Sequence, residues 1–227
     1  MSNCIAIDGP VAVGKTTVGR LLAARLRYRF VDTGNMYRAV AWKALRNGVD
    51  SDDAPSLTIL AERIHLELLP GNGNEPELLV DGQPVSTELR SPQVEQTVSS
   101  VSSILGVRRA LIKHQRNLAR KGRIVMVGRD IGTDVLPQAE IKVFLKASAQ
   151  ERARRRHREI HASAPRDGSS FNSALNTTLT NLVQRDRMDS RRAVSPLRPA
   201  ADAAMIDTEG LAPNEVVERI CRLMNPA

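Results

Sequence analysis

GPVAVGKT, residues 9–16, has the full G-x-x-x-x-G-K-[ST] spacing of a phosphate-binding loop. It follows the apolar run Cys4, Ile5, Ala6 and Ile7 and precedes a helix-prone run from Thr17 to Arg27. A strand delivers the chain and glycines let the backbone fold around an anion. The next helix then presents unpaired N–H groups and the positive end of its dipole to the same point. Lys15 reaches the β- and γ-phosphates, and the Thr16 hydroxyl is placed to bind Mg²⁺. The motif in this setting calls for a bound nucleoside triphosphate.

Outward from the loop, apolar runs at Cys4 to Ile7, Phe30 to Val31, Ile124 to Val127, Ile141 to Leu145 and Ala204 to Ile206 read as strands. They alternate with helical stretches at 16–26, 34–46, 107–120, 149–159, 175–191 and 214–223. This is the pattern of a parallel sheet covered on both faces, with ligands gathering at the carboxyl ends of the strands. Two stretches break it. Residues 65–86 read as short extended pieces joined by PGNGNEPE and an Asp81-Gly82 turn, a small antiparallel excursion, after which 91–103 returns as a helix. HASAPRDGSSFNS, residues 161–173, reads as a mobile flap between two arginine-bearing helices. At 227 residues the chain suits one α/β domain with insertions better than two independent domains.

The formal charge is +8, and 27 of the 33 basic residues are arginine, a choice suited to bidentate phosphate recognition. The arginines cluster at 152–158 and 185–192 instead of coating the chain, which disfavours a nucleic-acid surface, and 3% aromatic residues leave little for stacking single-stranded bases. Cys4 and Cys221 lack metal-ligand spacing and read as buried hydrophobes of a reducing compartment. The first strand starts close to Met1, leaving no room for a signal peptide, and no apolar run approaches membrane-spanning length. A cytoplasmic, monomeric protein with no membrane or stable nucleic-acid partner is expected.

Asp32-Thr33-Gly34 and Arg38 follow the second strand, where Asp32 or Thr33 could equally be a helix cap. Gly128-Arg129-Asp130 closes the third core strand and aims at the same place as the phosphate loop. Arg185, Asp189 and Arg192 share a helix face by spacing. The basic run 152–158 suits a lid whose guanidinium groups stabilise a transferring phosphoryl group. No acidic residue is recognisable beside these arginines as a water-activating group, which leans toward transfer to a bound acceptor.

The chain resembles the bacterial cytidylate kinases over essentially its whole length. The resemblance rests on IAIDGPVAVGKTT, VDTGNMYRAVAWKAL, VDGQPVSTELRSPQVEQTVSSVSSILGVRRAL, VGRDIGTDVLPQAEIKVFL, ERARRR and RDRMDSRRAVSPLRPAADAAMIDT. It implies a P-loop NTPase-type fold with a core at about 1–64, 104–150 and 193–227, a monophosphate-binding insertion at about 65–103 and a lid at about 151–192. It also implies Mg²⁺-dependent phosphoryl transfer from ATP to CMP or dCMP. Gly9, Pro10, Val11, Ala12, Val13, Gly14, Lys15, Thr16 and Thr17 would hold ATP. Thr33, Arg38 and Arg129 would hold the acceptor phosphate, and Ser99, Arg108 and Asp130 the cytosine edge. Arg185 and Asp189 would hold the ribose, with Arg192 at the phosphates. Lys15, Arg154, Arg185 and Arg187 would stabilise the transfer. Arg166, in the flap, is a further candidate for the acceptor phosphate. The alternatives are another P-loop kinase, acting on AMP, UMP or a small alcohol, and a nucleic-acid-binding nucleotide switch.

Overall fold

The structure is a computed structural model that describes residues 3–69, 77–160 and 169–224. Most of the sequence-read flap, including Arg166, and residues 70–76 of PGNGNEPE lie outside the described residues. In chain order the elements run β1 (Cys4–Asp8), α1 (Lys15–Leu26), β2 (Arg29–Asp32), α2 (Thr33–Arg46), α3 (Ala54–Arg63), β3 (Leu66–Leu69), β4 (Glu77–Val80) and β5 (Gln83–Pro84). There follow α4 (Pro92–Ser103), α5 (Leu105–Ala119), β6 (Ile124–Gly128), β7 (Ile141–Lys146), α6 (Ala149–Ile160), α7 (Ser169–Ser190), β8 (Ala204–Asp207) and α8 (Pro213–Met224).

The main sheet is parallel in the order β2-β6-β1-β7-β8, and β3-β4-β5 form a small antiparallel sheet. Because side chains alternate along a strand, β1 feeds two cores. Cys4 and Ala6 join a cluster built with α2, α3, α4 and α5. Ile5 and Ile7 join the opposite cluster, with Val18 and Leu22 of α1 and Val216, Val217 and Ile220 of α8. Each large aliphatic side chain so buried contributes about 1.5–3 kcal/mol. Leu78 and Val80 of the small sheet, Val85 just after it and Val94 and Val98 of α4 belong to the first cluster, so the small sheet and α4 are seated on the same hydrophobic mass as the main sheet.

Two elements depart from the sequence reading. Helix α3 was not anticipated; Asp53 caps it by accepting from the Ser56 N–H at 3.0 Å, and it packs through Leu57 and Ala61. Helix α7 begins at Ser169, so Ser169–Ser173 are helical where a flap was expected. Phe171 there stands edge-on to His157 of α6, ring centroids 4.6 Å apart, a tertiary contact that outweighs the polar local composition.

The parallel register sets Asp8, the last residue of β1, opposite Gly128, the last of β6. Beyond β6 the chain makes one π turn, Ile131–Val135. The buried Asp8 carboxylate accepts from the N–H groups of Ile131 at 2.8 Å and Gly132 at 2.7 Å, tying the start of the phosphate loop to this turn. Burial pushes the Asp8 carboxyl up to about 7, against the two N–H donors, with Asp130 adding to the rise and Lys15 opposing it.

Two outcomes are expected. Gly106 of α5 faces α3, and a Cβ there would sit 2.1 Å from the Thr58 hydroxyl. Gly106→Ala should therefore lose about 1–3 kcal/mol of unfolding free energy in denaturant titration, as overpacked sites do, and adding Thr58→Ala should recover part of it. For Asp8, the folded state binds a proton that the unfolded state, with an aspartate pKa of about 4, releases. The resulting stability is present below about pH 4 and lost as pH rises through about 7. The difference in unfolding free energy between wild type and Asp8→Asn should shrink over that window and level off above it; a flat difference contradicts the assignment.

Candidate active site

A cleft of about 1470 Å³ runs along the carboxyl ends of β1, β2 and β6, walled by α4 on one side and by α6 and α7 on the other. At its floor the phosphate loop has no room for side chains at one point and an open helix end at another. A Cβ on Gly9, whose φ is 150°, would come 2.5 Å from the Leu145 carbonyl oxygen. Gly14 precedes α1 with φ 98°; no side chain caps the helix and no acidic residue occupies its first turn. The first N–H groups of α1 are thus left for an anion. Val11, Ala12, Val13, Gly14, Lys15, Thr16 and Thr17 line the cleft, while Gly9 and Pro10 support it from behind.

Lys15 is buried and folds back, donating to the carbonyl oxygens of Gly9 at 2.8 Å and Pro10 at 2.6 Å. Burial, followed by the nearby Arg129 cation, holds its ammonium well below the ordinary lysine range. An anion in the loop offsets both effects. The Thr16 hydroxyl donates to Asp32 Oδ2 at 2.6 Å, while Asp32 Oδ1 accepts from the Gly34 N–H at 2.9 Å and caps α2. Hydroxyl and carboxylate make a hard-oxygen pair that fits Mg²⁺. No cluster of three acidic, His or Cys residues exists among the described residues, so phosphate oxygens and water would complete the coordination, as Mg²⁺ prefers.

Farther along the cleft stands a set of guanidinium groups, each held by a carboxylate. Arg108, 1% exposed, bonds Asp130 at 2.5 Å and the Ser102 carbonyl at 3.1 Å, and stacks 5.3 Å from the Tyr37 ring centroid. Arg129 donates to Asp189 Oδ2 at 2.8 Å; Arg192 donates to Asp189 Oδ1 and to the Ser102 hydroxyl at 3.0 Å. Burial works to raise the Asp189 carboxyl, yet Arg129 and Arg192 hold it below the usual carboxylate range. Arg38 and Arg185 both face Glu95, and Ser99 lines the wall beside them. Thr33 is buried, with its hydroxyl donating to the Val127 carbonyl at 2.9 Å, so its proton is committed to β6. Arg192 lies just past the end of α7 at Ser190 and reaches back to Asp189.

The structure therefore gathers Thr33, Arg38, Ser99, Arg108, Arg129, Asp130, Arg185, Asp189 and Arg192 in one cleft with the loop. It does not bring Arg154 and Arg187 there. Arg154 is 60% exposed and pairs at 3.7 Å with Glu151, and Arg187 is exposed outside the cleft lining. On α6 the cleft is faced by Arg155 and Arg156, with Arg158 at its edge, while Arg152 is buried.

Four carboxylates escaped the sequence reading as site groups: Asp8, Asp32 beyond its cap role, Glu95 and Asp186. Carboxylates do stand beside the arginines of α6 and α7. Asp186 bonds Arg152 at 2.6 Å and accepts from the Val11 N–H at 3.2 Å, and Glu95 meets three arginines. These carboxylates are engaged with cations, not positioned to activate water. The one legible signal was Asp8, a charge at the end of an otherwise apolar strand.

A family model described as cytidylate kinase matches residues 5–226. A cytidylate kinase of Desulforamulus reducens is 46% identical over 218 residues, 96% of this chain and 95% of that protein. One from Geobacillus kaustophilus is 47% identical over 221 residues, 97% and 96% of the two chains. A bifunctional pantoate ligase/cytidylate kinase of a Synechococcus strain is 46% identical over 221 residues; the match takes in 96% of this chain but spans only 40% of that longer relative. Among solved structures, an uncharacterized protein from Eubacterium ventriosum covers 100% of both chains with a TM-score of 0.52 at 11% identity, a likeness of fold. Residue geometry, the full-length family match and relatives near half identity lead to one assignment: the chain belongs to the cytidylate kinase family.

Proposed function

We propose that the protein transfers the γ-phosphoryl group of ATP to CMP or dCMP, giving ADP and CDP or dCDP, with free nucleotides as its partners. The observation that carries this reading is the continuity of one cleft from the open N-terminus of α1 to the buried Arg108–Asp130 pair, with Arg129 between them. ATP takes the loop, and the base lies against Ser99, Arg108 and Asp130. A phosphate monoester takes Arg38 and Arg129 together with Arg185, which meets the same Glu95 carboxylate as Arg38 and is for that reason moved here from the ribose role that the resemblance implied. Asp189, fixed between Arg129 and Arg192, accepts from a ribose hydroxyl.

The acceptor is already an anionic nucleophile, so no strong general base is needed; the obstacle is repulsion between two anions. Holding them in line supplies a positioning term that reaches about 7–11 kcal/mol. Lys15 leaves the Gly9 and Pro10 carbonyls for the phosphates, and Arg129, Arg185 and Arg156 neutralise charge spread over the equatorial oxygens. Thr16 and Asp32 would hold Mg²⁺, which would supply further charge neutralisation on the triphosphate. Arg154 and Arg187 are left out of this set. The α6–α7 wall excludes water that would otherwise take the phosphoryl group.

Cytosine carries an amino donor where uracil carries a carbonyl, so a carboxylate at Asp130 favours CMP over UMP.

ADP release followed across AMP, GMP, UMP, CMP and dCMP should show CMP and dCMP dominant; preference for another base contradicts the reading. Lys15→Ala should lower kcat by roughly 100-fold or more with the fold retained, as loss of a transition-state cation does. Asp130→Asn disturbs a buried ion pair and costs stability, so the ratio of kcat/KM for CMP over UMP is the readout. It should fall about tenfold if ~1.4 kcal/mol of discrimination is lost. Equal losses for both substrates would leave Asp130 with a purely structural role beside Arg108.

A further inference from the structure

Glu95 stands in the first turn of α4, where a carboxylate would ordinarily be read as complementing the helix dipole. Its side chain instead reaches into the cleft. Oε1 accepts from Arg38 Nη2 at 2.6 Å and lies 3.6 Å from Arg156 Nη2, and Oε2 lies 3.5 Å from Arg185 Nη1. Three cations from α2, α6 and α7 thus converge on one carboxylate from a fourth element.

We propose that Glu95 is an internal stand-in for the acceptor phosphate: its carboxylate neutralises Arg38, Arg156 and Arg185 in the empty protein and is displaced by the incoming phosphate monoester. This rests on the reading that Arg38 and Arg185 hold that phosphate.

Converging guanidinium groups repel one another. Burial lowers the affinity of the Arg185 guanidinium for its proton, Arg129 and Arg38 lower it further, and Asp189 and Glu95 act against them. Some anion must therefore occupy the centre when substrate is absent. The two carboxylates differ in freedom to leave. Asp189 is 3% exposed and locked between Arg129 and Arg192. Glu95 is 24% exposed and, among the described residues, its tip is held by arginines. A phosphate monoester offers three oxygens and up to two charges where Glu95 offers two oxygens and one charge, so the exchange favours the substrate. A nucleoside without its phosphate has nothing with which to displace the carboxylate. Glu95 also bridges α4 to α6 and α7 across the cleft, so the two walls are drawn together before substrate arrives and are then joined through its phosphate.

The test is calorimetric titration of inorganic phosphate, CMP and cytidine into wild type and Glu95→Gln, with the phosphate loop filled by a non-hydrolysable ATP analogue and Mg²⁺. Removing an internal competitor that makes three partly exposed pairs should tighten phosphate and CMP binding by roughly threefold to tenfold and leave cytidine unchanged. A merely structural glutamate predicts the opposite sign. Unchanged or weaker phosphate and CMP binding overturns the inference. If the Gln variant does not stay folded, Glu95→Ser carries the same expectation and the same refutation. Failure of the acceptor reading is separable: it would appear as absent CMP turnover in the wild type, while the phosphate titration still decides the role of Glu95.

Discussion

The parallel pairing of β1 with β6, Asp8 opposite Gly128, is the interaction on which the site depends. It puts the phosphate loop and the Arg129–Asp130 segment at adjacent strand ends. The Asp8 carboxylate then bonds the N–H groups of Ile131 and Gly132 and removes the remaining play between them. β2 pairs with β6 on its other side, Asp32 opposite Val127, which delivers Asp32 to Thr16 and Thr33 to the Val127 carbonyl. Three connections that are far apart in sequence share one hydrogen-bonded frame.

The second constraint is charge. The cleft is crowded with cations, and the protein's own carboxylates hold them: Asp130 on Arg108, Asp189 on Arg129 and Arg192, Asp186 on Arg152, Glu95 on Arg38, Arg156 and Arg185. Buried ion pairs of this kind add little net stability, because desolvation consumes most of the attraction. What they provide is orientation. Each guanidinium is aimed before the ligand arrives, which lowers the ordering cost of binding.

The sheet and the phosphate loop were legible because their signals are local. The β1 run, the two glycines and the Lys-Thr pair are contiguous, and backbone geometry at Gly9 and Gly14 excludes most alternatives. That Arg38, Arg129 and Asp130 gather in one cleft was legible because charges placed just after buried strands have few structural uses. Helix α3 was missed although Asp53 and Pro55 mark its start, because the turn-forming residues Ser51, Asp52, Asp53 and Ser56 around that start read as a loop. The carboxylates of Glu95 and Asp186 were invisible for another reason. Their partners Arg38 and Val11 lie 57 and 175 residues away, and no spacing within a helix reports such a contact. The same limit explains Arg154. Helix α6 is basic on nearly every face, so periodicity does not say which arginines turn to the cleft; packing against α7 decides it.

That one frame holds donor and acceptor together is tested most directly by calorimetry with an adenosine and a cytidine joined 5′ to 5′ through five phosphates. If both sites lie in the single cleft, linking makes the second binding event intramolecular, and the bridged compound should bind roughly 100-fold or more tightly than ATP or CMP alone. It should also compete with both. A bridged compound that binds no tighter than ATP, or that leaves CMP binding untouched, would contradict a shared frame.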